Sequence, residues 1–258
     1  MDNELILVGK QGRVGYITLN RPEEMNTFTV EFARQLDAAL WQMEDDPEVL
    51  VVVIKAAGKN FCTGIALDQF DEKSQRDYRA FLYRIDAFYH TLAKMRTVTI
   101  AATQGYALAN GAGLAFACDF TVAANDCMFG TTAINVGLIC LGPAAPMLRI
   151  LGRKKTMELV LTGEMFSADA ALDMGLINKV VEAGELYAAA DELAAKLTAK
   201  SPLALQIGKE GLNRLHDIPY HQGLDVMDDL FATLCSSADA VEGVSAFLQR
   251  RKPQWQEK

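Results

Sequence analysis

The chain has 258 residues, half of them apolar, with 33 acidic side chains against 25 lysines and arginines and a formal net charge of −8. That balance suits one large soluble domain, or a core with a small appended part, and argues against a general nucleic-acid binder. No apolar run reaches the roughly eighteen residues of a membrane span. The acidic start Met1-Asp2-Asn3-Glu4 has neither the basic region nor the apolar run of a signal peptide. Five cysteines (Cys62, Cys118, Cys127, Cys140 and Cys235) form an odd count without CxxC spacing. A reduced cytoplasmic protein is expected rather than a disulfide scaffold or a zinc site.

In chain order, Leu5 to Val8 and Val14 to Leu19 read as two strands of an opening hairpin around Gly12. Asn20-Arg21-Pro22 breaks the pattern. Thr27 or Thr29 then caps an amphipathic helix running to about Glu44, with Phe28, Phe32, Leu36, Leu40 and Met43 on one stripe. Val49 to Lys55 has the near-continuous apolar character of a strand buried on both faces. Val98 to Thr103 and Phe120 to Ala124 read as two more strands. Glycine and helix-like sequence follow each strand, so the first two thirds repeats a strand–turn–helix unit. Right-handed crossovers of this kind either spiral or form an open sheet, and periodicity leaves both possible. From about Arg153 the chain turns helical: 155–161, 167–174, 184–200, 202–215, 222–234 and 239–251, with one strand at Ile177 to Val181. Ser167 and Ser201-Pro202 are helix starts by cap and by proline in the first turn.

Two glycine turns carry the chemical signal. The first is Lys59-Asn60-Phe61-Cys62-Thr63-Gly64-Ile65-Ala66-Leu67-Asp68 and the second is Gly105-Tyr106-Ala107-Leu108-Ala109-Asn110-Gly111-Ala112-Gly113-Leu114. Either one is also what a purely structural glycine turn looks like. Both follow a predicted strand, however, and two such turns can aim two backbone N–H groups at one developing oxyanion, helped by a helix dipole.

In order and spacing these segments resemble the crotonase family, the enoyl-CoA hydratase/isomerase superfamily. The resemblance begins at Thr18-Leu19-Asn20-Arg21-Pro22 with Asn26, and continues through Val51 to Lys55, Gly58 and Phe61-Cys62-Thr63-Gly64. Ala101-Ala102, Gly105-Tyr106-Ala107, Cys118-Asp119, Phe129-Gly130 and Gly137-Leu138-Ile139 follow. Later landmarks are Met157 to Gly163, Ala168 to Ile177, Glu242-Gly243, Ala246-Phe247 and Arg250-Arg251-Lys252-Pro253.

The resemblance implies an α/β fold: a ββα spiral core, residues 1–200, and a helical C-terminal trimerisation region, residues 201–258. It implies a homotrimer or dimer of trimers that binds an acyl-CoA thioester, with no cofactor apart from the CoA of the substrate. The oxyanion amides fall at Ile65 and Asn110, with Gly111 the neighbouring register. Gly64, Ala66, Leu67 and Asp68 would line the thioester and pantetheine path, and Arg21 or Glu24 would border the nucleotide. Phe231, Phe247 and Arg250 match C-terminal residues that cover CoA, sometimes from a neighbouring subunit; trimer packing and a helix C-terminus are the structural alternatives.

The chain departs from the family pattern where hydratases carry two glutamates that hold and activate water. Those positions are Gly113 and Ala133, and neither transfers a proton. Ala66 replaces an acidic residue common after the first amide, with Asp68 two positions on. The segment after Gly137 reads Leu138-Ile139-Cys140-Leu141-Gly142-Pro143. Cys140 lies near a position where a decarboxylase branch places a tyrosine, and Asn135 also matches that branch. The Cys140 thiol is a candidate acid, base or nucleophile if its pKa is lowered, and otherwise an ordinary buried residue. Asp68, Asp71 and Glu72 open a charged stretch to Arg79 that either reaches the pocket or forms a solvated helix face. Asp119 reads as a structural hydrogen-bonding residue, and His90, His216 and His221 as surface or packing residues.

Two readings of function follow. One is an acyl-CoA enzyme working through a thioester enolate, labelled by resemblance a hydratase/isomerase, with decarboxylation or thioester hydrolysis as alternatives. The other is a catalytically silent acyl-CoA binder.

Overall fold

The computed structural model describes residues 4–71 and 73–256; the Met1–Asn3 start and Glu72 lie outside them. β1 (Ile6–Gln11) and β2 (Val14–Leu19) pair antiparallel across Gly12, whose φ of +58° is the left-handed conformation the tight turn requires. β1 runs three residues beyond the predicted Val8, because ladder pairing rather than apolar pattern carries Gly9, Lys10 and Gln11. Of the two candidate caps the fold uses Thr29, whose hydroxyl accepts the Phe32 N–H (3.2 Å) at the start of α1 (Val30–Asp45). The predicted stripe, Phe28 through Met43, is buried along its whole length.

β3 (Val51–Ala56), β4 (Val98–Thr103), β6 (Phe120–Ala124) and β9 (Lys179–Val181) extend β2 in parallel, giving a six-stranded sheet in the order β1-β2-β3-β4-β6-β9. Their continuous apolar sequence has a simple cause. Val52 and Ile54 face a core shared with Phe32, Leu36 and Leu40 of α1, while Val51 and Val53 face Leu186, Ala190 and Ala194 of α7 (Leu186–Thr198).

The spiral is set by a second, smaller sheet. Two of the parallel strands are followed within a few residues by a short one: β5 (Tyr106–Leu108) after β4, and β7 (Met128–Gly130) after β6. β5 and β7 pair in parallel, and Cys62, leaving β3, bridges Ala107 of β5. Successive turns of chain therefore stack on both sheets at once, which resolves the choice between spiral and open sheet. β8 (Met165–Ser167) closes the small sheet antiparallel to β7. Strands of three residues leave no periodicity to read, so the pattern shows only the long strand of the β4 and β6 repeats and not the short one that follows it.

The connections carry α2 (Gln75–Ile85), α3 (Ala87–Lys94), α4 (Asn110–Ala117), α5 (Leu141–Thr162) and α6 (Ala168–Asp173). Of the charged stretch opening at Asp68, the part from Gln75 lies in α2, capped by Ser74, which accepts the Asp77 N–H (3.2 Å). The helix expected from Lys155 is only the second arm of α5. That helix starts at Leu141 and breaks at Gly152, whose φ is +71°.

α8 (Pro202–Asp217), α9 (Tyr220–Cys235) and α10 (Ala238–Leu248) form the C-terminal region. Buried Lys209 of α8 ties it to the sheet, with Nζ 2.7 Å from Asp119 Oδ2 and 2.8 Å from the Thr97 carbonyl. Asp119 also accepts the Thr99 N–H (2.7 Å), the structural role expected of it. No helix among the described residues is long and apolar enough to cross a membrane.

Candidate active site

The two glycine turns meet. A Cβ placed on Gly64 (φ +104°) would lie 2.8 Å from Ala109 Cβ and 3.8 Å from the Asn110 nitrogen; one on Gly111 would lie 2.0 Å from the Cys62 carbonyl oxygen. Only glycine permits that approach. The local hydrogen bonds then decide where the amides point. The Phe28 N–H donates to the Gly64 carbonyl (2.8 Å) and the Ala66 N–H to the Phe28 carbonyl (3.0 Å). In such a parallel bridge the residue between, Ile65, turns its own N–H away from the partner strand. The Asn110 N–H lies in the first turn of α4 and has no intrahelical acceptor. Ala109, just before it, is held at φ +46° and ψ −123°, a strained conformation for alanine. The Ala109 N–H donating to Gly130 (2.8 Å) and its carbonyl accepting from Gly113 (2.9 Å) hold it there.

Ile65 and Asn110 both line a cleft of about 980 Å³. Ala66, Leu67, Asp68, Ala133 and Cys140 line it too, whereas Gly64, Gly111 and Gly113 stand behind its wall. Arg21 and Glu24 also border the cleft. Arg21 is braced by Thr27, accepting at the carbonyl (3.2 Å) and the hydroxyl (2.6 Å). Phe231, Phe247 and Arg250 do not reach the cleft within this chain. Phe231 and Phe247 are 65% and 83% exposed on α9 and α10, and Arg250 follows α10 at φ +52°. Asp71 is exposed, and so are all three histidines.

The side of the site where the family resemblance implies a carboxylate in hydratases is filled by another side chain. A Cβ on Gly113 would fall 1.7 Å from the Tyr89 hydroxyl and 3.1 Å from Pro143 Cγ, so a tyrosine of α3 occupies that volume. The Tyr89 hydroxyl is buried without a hydrogen-bond partner among the described residues. Burial, then the charges of Asp86, Cys140 and Cys62, pushes its pKa well above the ordinary value. Asp86, at the joint between α2 and α3, also lines the cleft, and its Oδ1 accepts the Asn110 side-chain N–H (2.8 Å). Burial raises the Asp86 carboxyl above its usual range, against the Asn110 hydrogen bond and the nearby His90, which lower it. Cys140 is buried, and burial likewise pushes its thiol up. That is the opposite of the lowering a cysteine nucleophile needs, so the ordinary-packing alternative describes it better. Among the described residues no group of His, Cys, Asp or Glu is placed to hold a metal ion.

Sequence reasoning missed Asp86 and Tyr89, which sit in a helical stretch with no motif; their proximity to the second glycine turn is purely tertiary. It registered Asn26 only as a landmark. Buried Asn26 donates to the Ala57 (3.0 Å) and Asn60 (2.9 Å) carbonyls and accepts the Arg21 N–H (2.7 Å), stitching the cleft's rim to the first turn.

Comparison with known proteins agrees with this architecture. The enoyl-CoA hydratase/isomerase family model matches residues 9–258. The chain is 34% identical over 256 residues to the probable enoyl-CoA hydratase echA8 of Mycobacterium bovis, covering 99% of each. It is 34% identical over 254 residues to the 2,3-dehydroadipyl-CoA hydratase of Escherichia coli, covering 96% of this chain and 97% of that one. The crystal structure of an enoyl-CoA hydratase from Mycobacterium smegmatis superposes with a TM-score of 0.94 at 33% identity, covering 97% of this chain and 98% of that one. The fold is that of the crotonases, and the chain belongs to the enoyl-CoA hydratase/isomerase family.

Proposed function

We propose that the chain is an acyl-CoA enzyme that stabilises a thioester enolate between the N–H groups of Ile65 and Asn110. The observation that carries the reading is the contact of the two glycine turns, maintained by Gly64 and Gly111 and by the strained Ala109. Such a hole is built from backbone, so the bulk of Ile65 narrows the acyl site without removing the donor. Acyl-CoA is the expected ligand, with its thioester along Ile65 to Asp68 and its nucleotide near Arg21 and Glu24. With Gly113 and Ala133 at the glutamate positions, two-glutamate hydration is disfavoured. Double-bond isomerisation or decarboxylation through the same enolate fits better, since either uses the hole without a paired carboxylate to hold water.

Assembly as a homotrimer or dimer of trimers is part of this proposal. Phe231, Val244 and Phe247 are exposed apolar residues of the C-terminal helices, and a neighbouring subunit would cover them.

The test is turnover of the purified chain against enoyl, β-hydroxy, β-keto, malonyl-type and ring-containing acyl-CoAs, read by mass spectrometry. Product formation is expected, falling about 10²–10³-fold when Asn110→Pro removes one oxyanion donor. Proline is tolerated in the first turn of a helix, and circular dichroism checks folding. Undiminished turnover in a folded Asn110→Pro would refute the oxyanion assignment. Tight binding with no product across the panel would make the chain a silent binder.

A further inference from the structure

Among the described residues three carboxylates border the cleft: Glu24, Asp68 and Asp86. Glu24 and Asp68 are exposed, and among the described residues Asp68 accepts only from its neighbour Gln69 (3.1 Å). Asp86 differs in three respects. It is half-buried at the joint between two helices, in the sparsely populated backbone region near φ −94° and ψ 8° where active-site residues recur. That joint is fixed from both sides: the Asp86 N–H donates to the Leu82 carbonyl (2.9 Å) and its own carbonyl accepts the Tyr89 N–H (3.1 Å). Its Oδ1 is oriented by the side chain of Asn110 (2.8 Å), the residue whose backbone N–H is the second oxyanion donor, while Oδ2 takes no hydrogen bond among the described residues.

We infer that Asp86 is the proton-transfer group of this site, standing in for the glutamates that Gly113 and Ala133 lack. The inference rests on the acyl-CoA reading above. Asn110 spans from the place where the thioester oxygen would be held to the carboxylate, so Asp86 lies one side-chain length from that oxygen, on the scale at which the thioester's α-carbon sits. The unpartnered Tyr89 hydroxyl, behind Gly113 and Gly142, closes the same wall: a Cβ on Gly142 would lie 3.4 Å from it and 3.6 Å from Asp86 Oδ1.

The step balances without a further reactant. Asp86 Oδ2 takes a proton from the α-carbon, the C–H pair becomes the Cα–C double bond, and the carbonyl π pair moves to the oxygen between the two amides. The carboxylic acid then returns the proton to the α-carbon, which is exchange, or to the γ-carbon of a β,γ-enoyl thioester, which moves the double bond.

Deuterium uptake at the α-carbon of butyryl-CoA and 3-enoyl-CoA in D₂O, followed by mass spectrometry on the full chain, tests it. Asp86→Asn keeps an oxygen to accept from Asn110 yet cannot take the proton. Exchange should fall about 10²–10⁴-fold, with affinity for the CoA ester and melting temperature unchanged. In Asp86→Ala, added formate should restore part of the rate, which a merely structural aspartate would not do. Among the described residues, the ionisable groups that interact with Asp86 are His90 of α3 and the Tyr89 hydroxyl, which in turn feels the Cys140 thiol. Burial raises the Asp86 carboxyl, and only its ionised form is a base. The exchange rate should therefore fall on acidification with a limb above the usual carboxylate range, lost in Asp86→Asn and kept in His90→Asn. Exchange at the wild-type rate in Asp86→Asn, while Asn110→Pro abolishes it, would overturn the role of Asp86 alone. Absence of both exchange and turnover in the unmodified chain would overturn it together with the enzyme reading.

Discussion

The two walls of the cleft are built on different principles. The wall of Ile65 and Asn110 is backbone: its requirements are a positive φ at Gly64, close approach at Gly64 and Gly111, and a helix start at Asn110. Side chains there can change with little effect on the proposed backbone donors, so isoleucine is accommodated at the first turn. The opposite wall is side chain: Ala133 carries no titratable group, Asp86 borders the cleft from the α2–α3 joint, and Tyr89 fills the space beside Gly113 behind it. On the proposed function, an anion hole made of main chain can be kept while the side chains around it are exchanged.

Substitutions at three positions break or sharpen this contrast. The largest effect is expected at Gly111→Ala. Its Cβ would enter the Cys62 carbonyl at 2.0 Å, a backbone atom that cannot rotate aside. A loss of about 3 kcal/mol, the upper end for overpacking, should appear in urea unfolding, together with loss of turnover as the two turns part. Next is Gly113→Glu, which restores the hydratase side chain. It should not restore hydration, because the Tyr89 hydroxyl holds its space, and it should cost about 1–3 kcal/mol. Tyr89→Ala costs stability by its own cavity, but in that background Gly113→Glu should cost much less. A double-mutant cycle with additive energies would mean that Tyr89 does not occupy the glutamate's place. The smallest effect is at Tyr89→Phe. Removing a buried hydroxyl that has no partner should stabilise the chain by about 1 kcal/mol. A destabilised variant would show that the hydroxyl is hydrogen-bonded after all.

Local pattern made much of the fold legible. Val14 to Leu19, Val98 to Thr103 and Phe120 to Ala124 were predicted as the strands that form, and the Phe28 to Met43 stripe as the buried face at α1. Signals of this kind depend on neighbours within one or two turns of chain, which a single sequence displays. The three-residue strands of the small sheet have too few residues to show a period and exist because earlier turns of the spiral offer free edges.

The same division runs through the site. The sequence alone displayed the two glycine turns, the family resemblance they carry and the identities of Gly113 and Ala133, because these are properties of residue type at a given spacing. Tertiary structure alone decided that Gly64 touches Ala109, that Tyr89 fills the space beside Gly113, and that Asp86 meets Asn110, twenty-four residues further along the chain. Such contacts follow from how α3 packs on α4 within the closed core, where side-chain volume and unpaired polar atoms, rather than local propensity, determine which groups lie together.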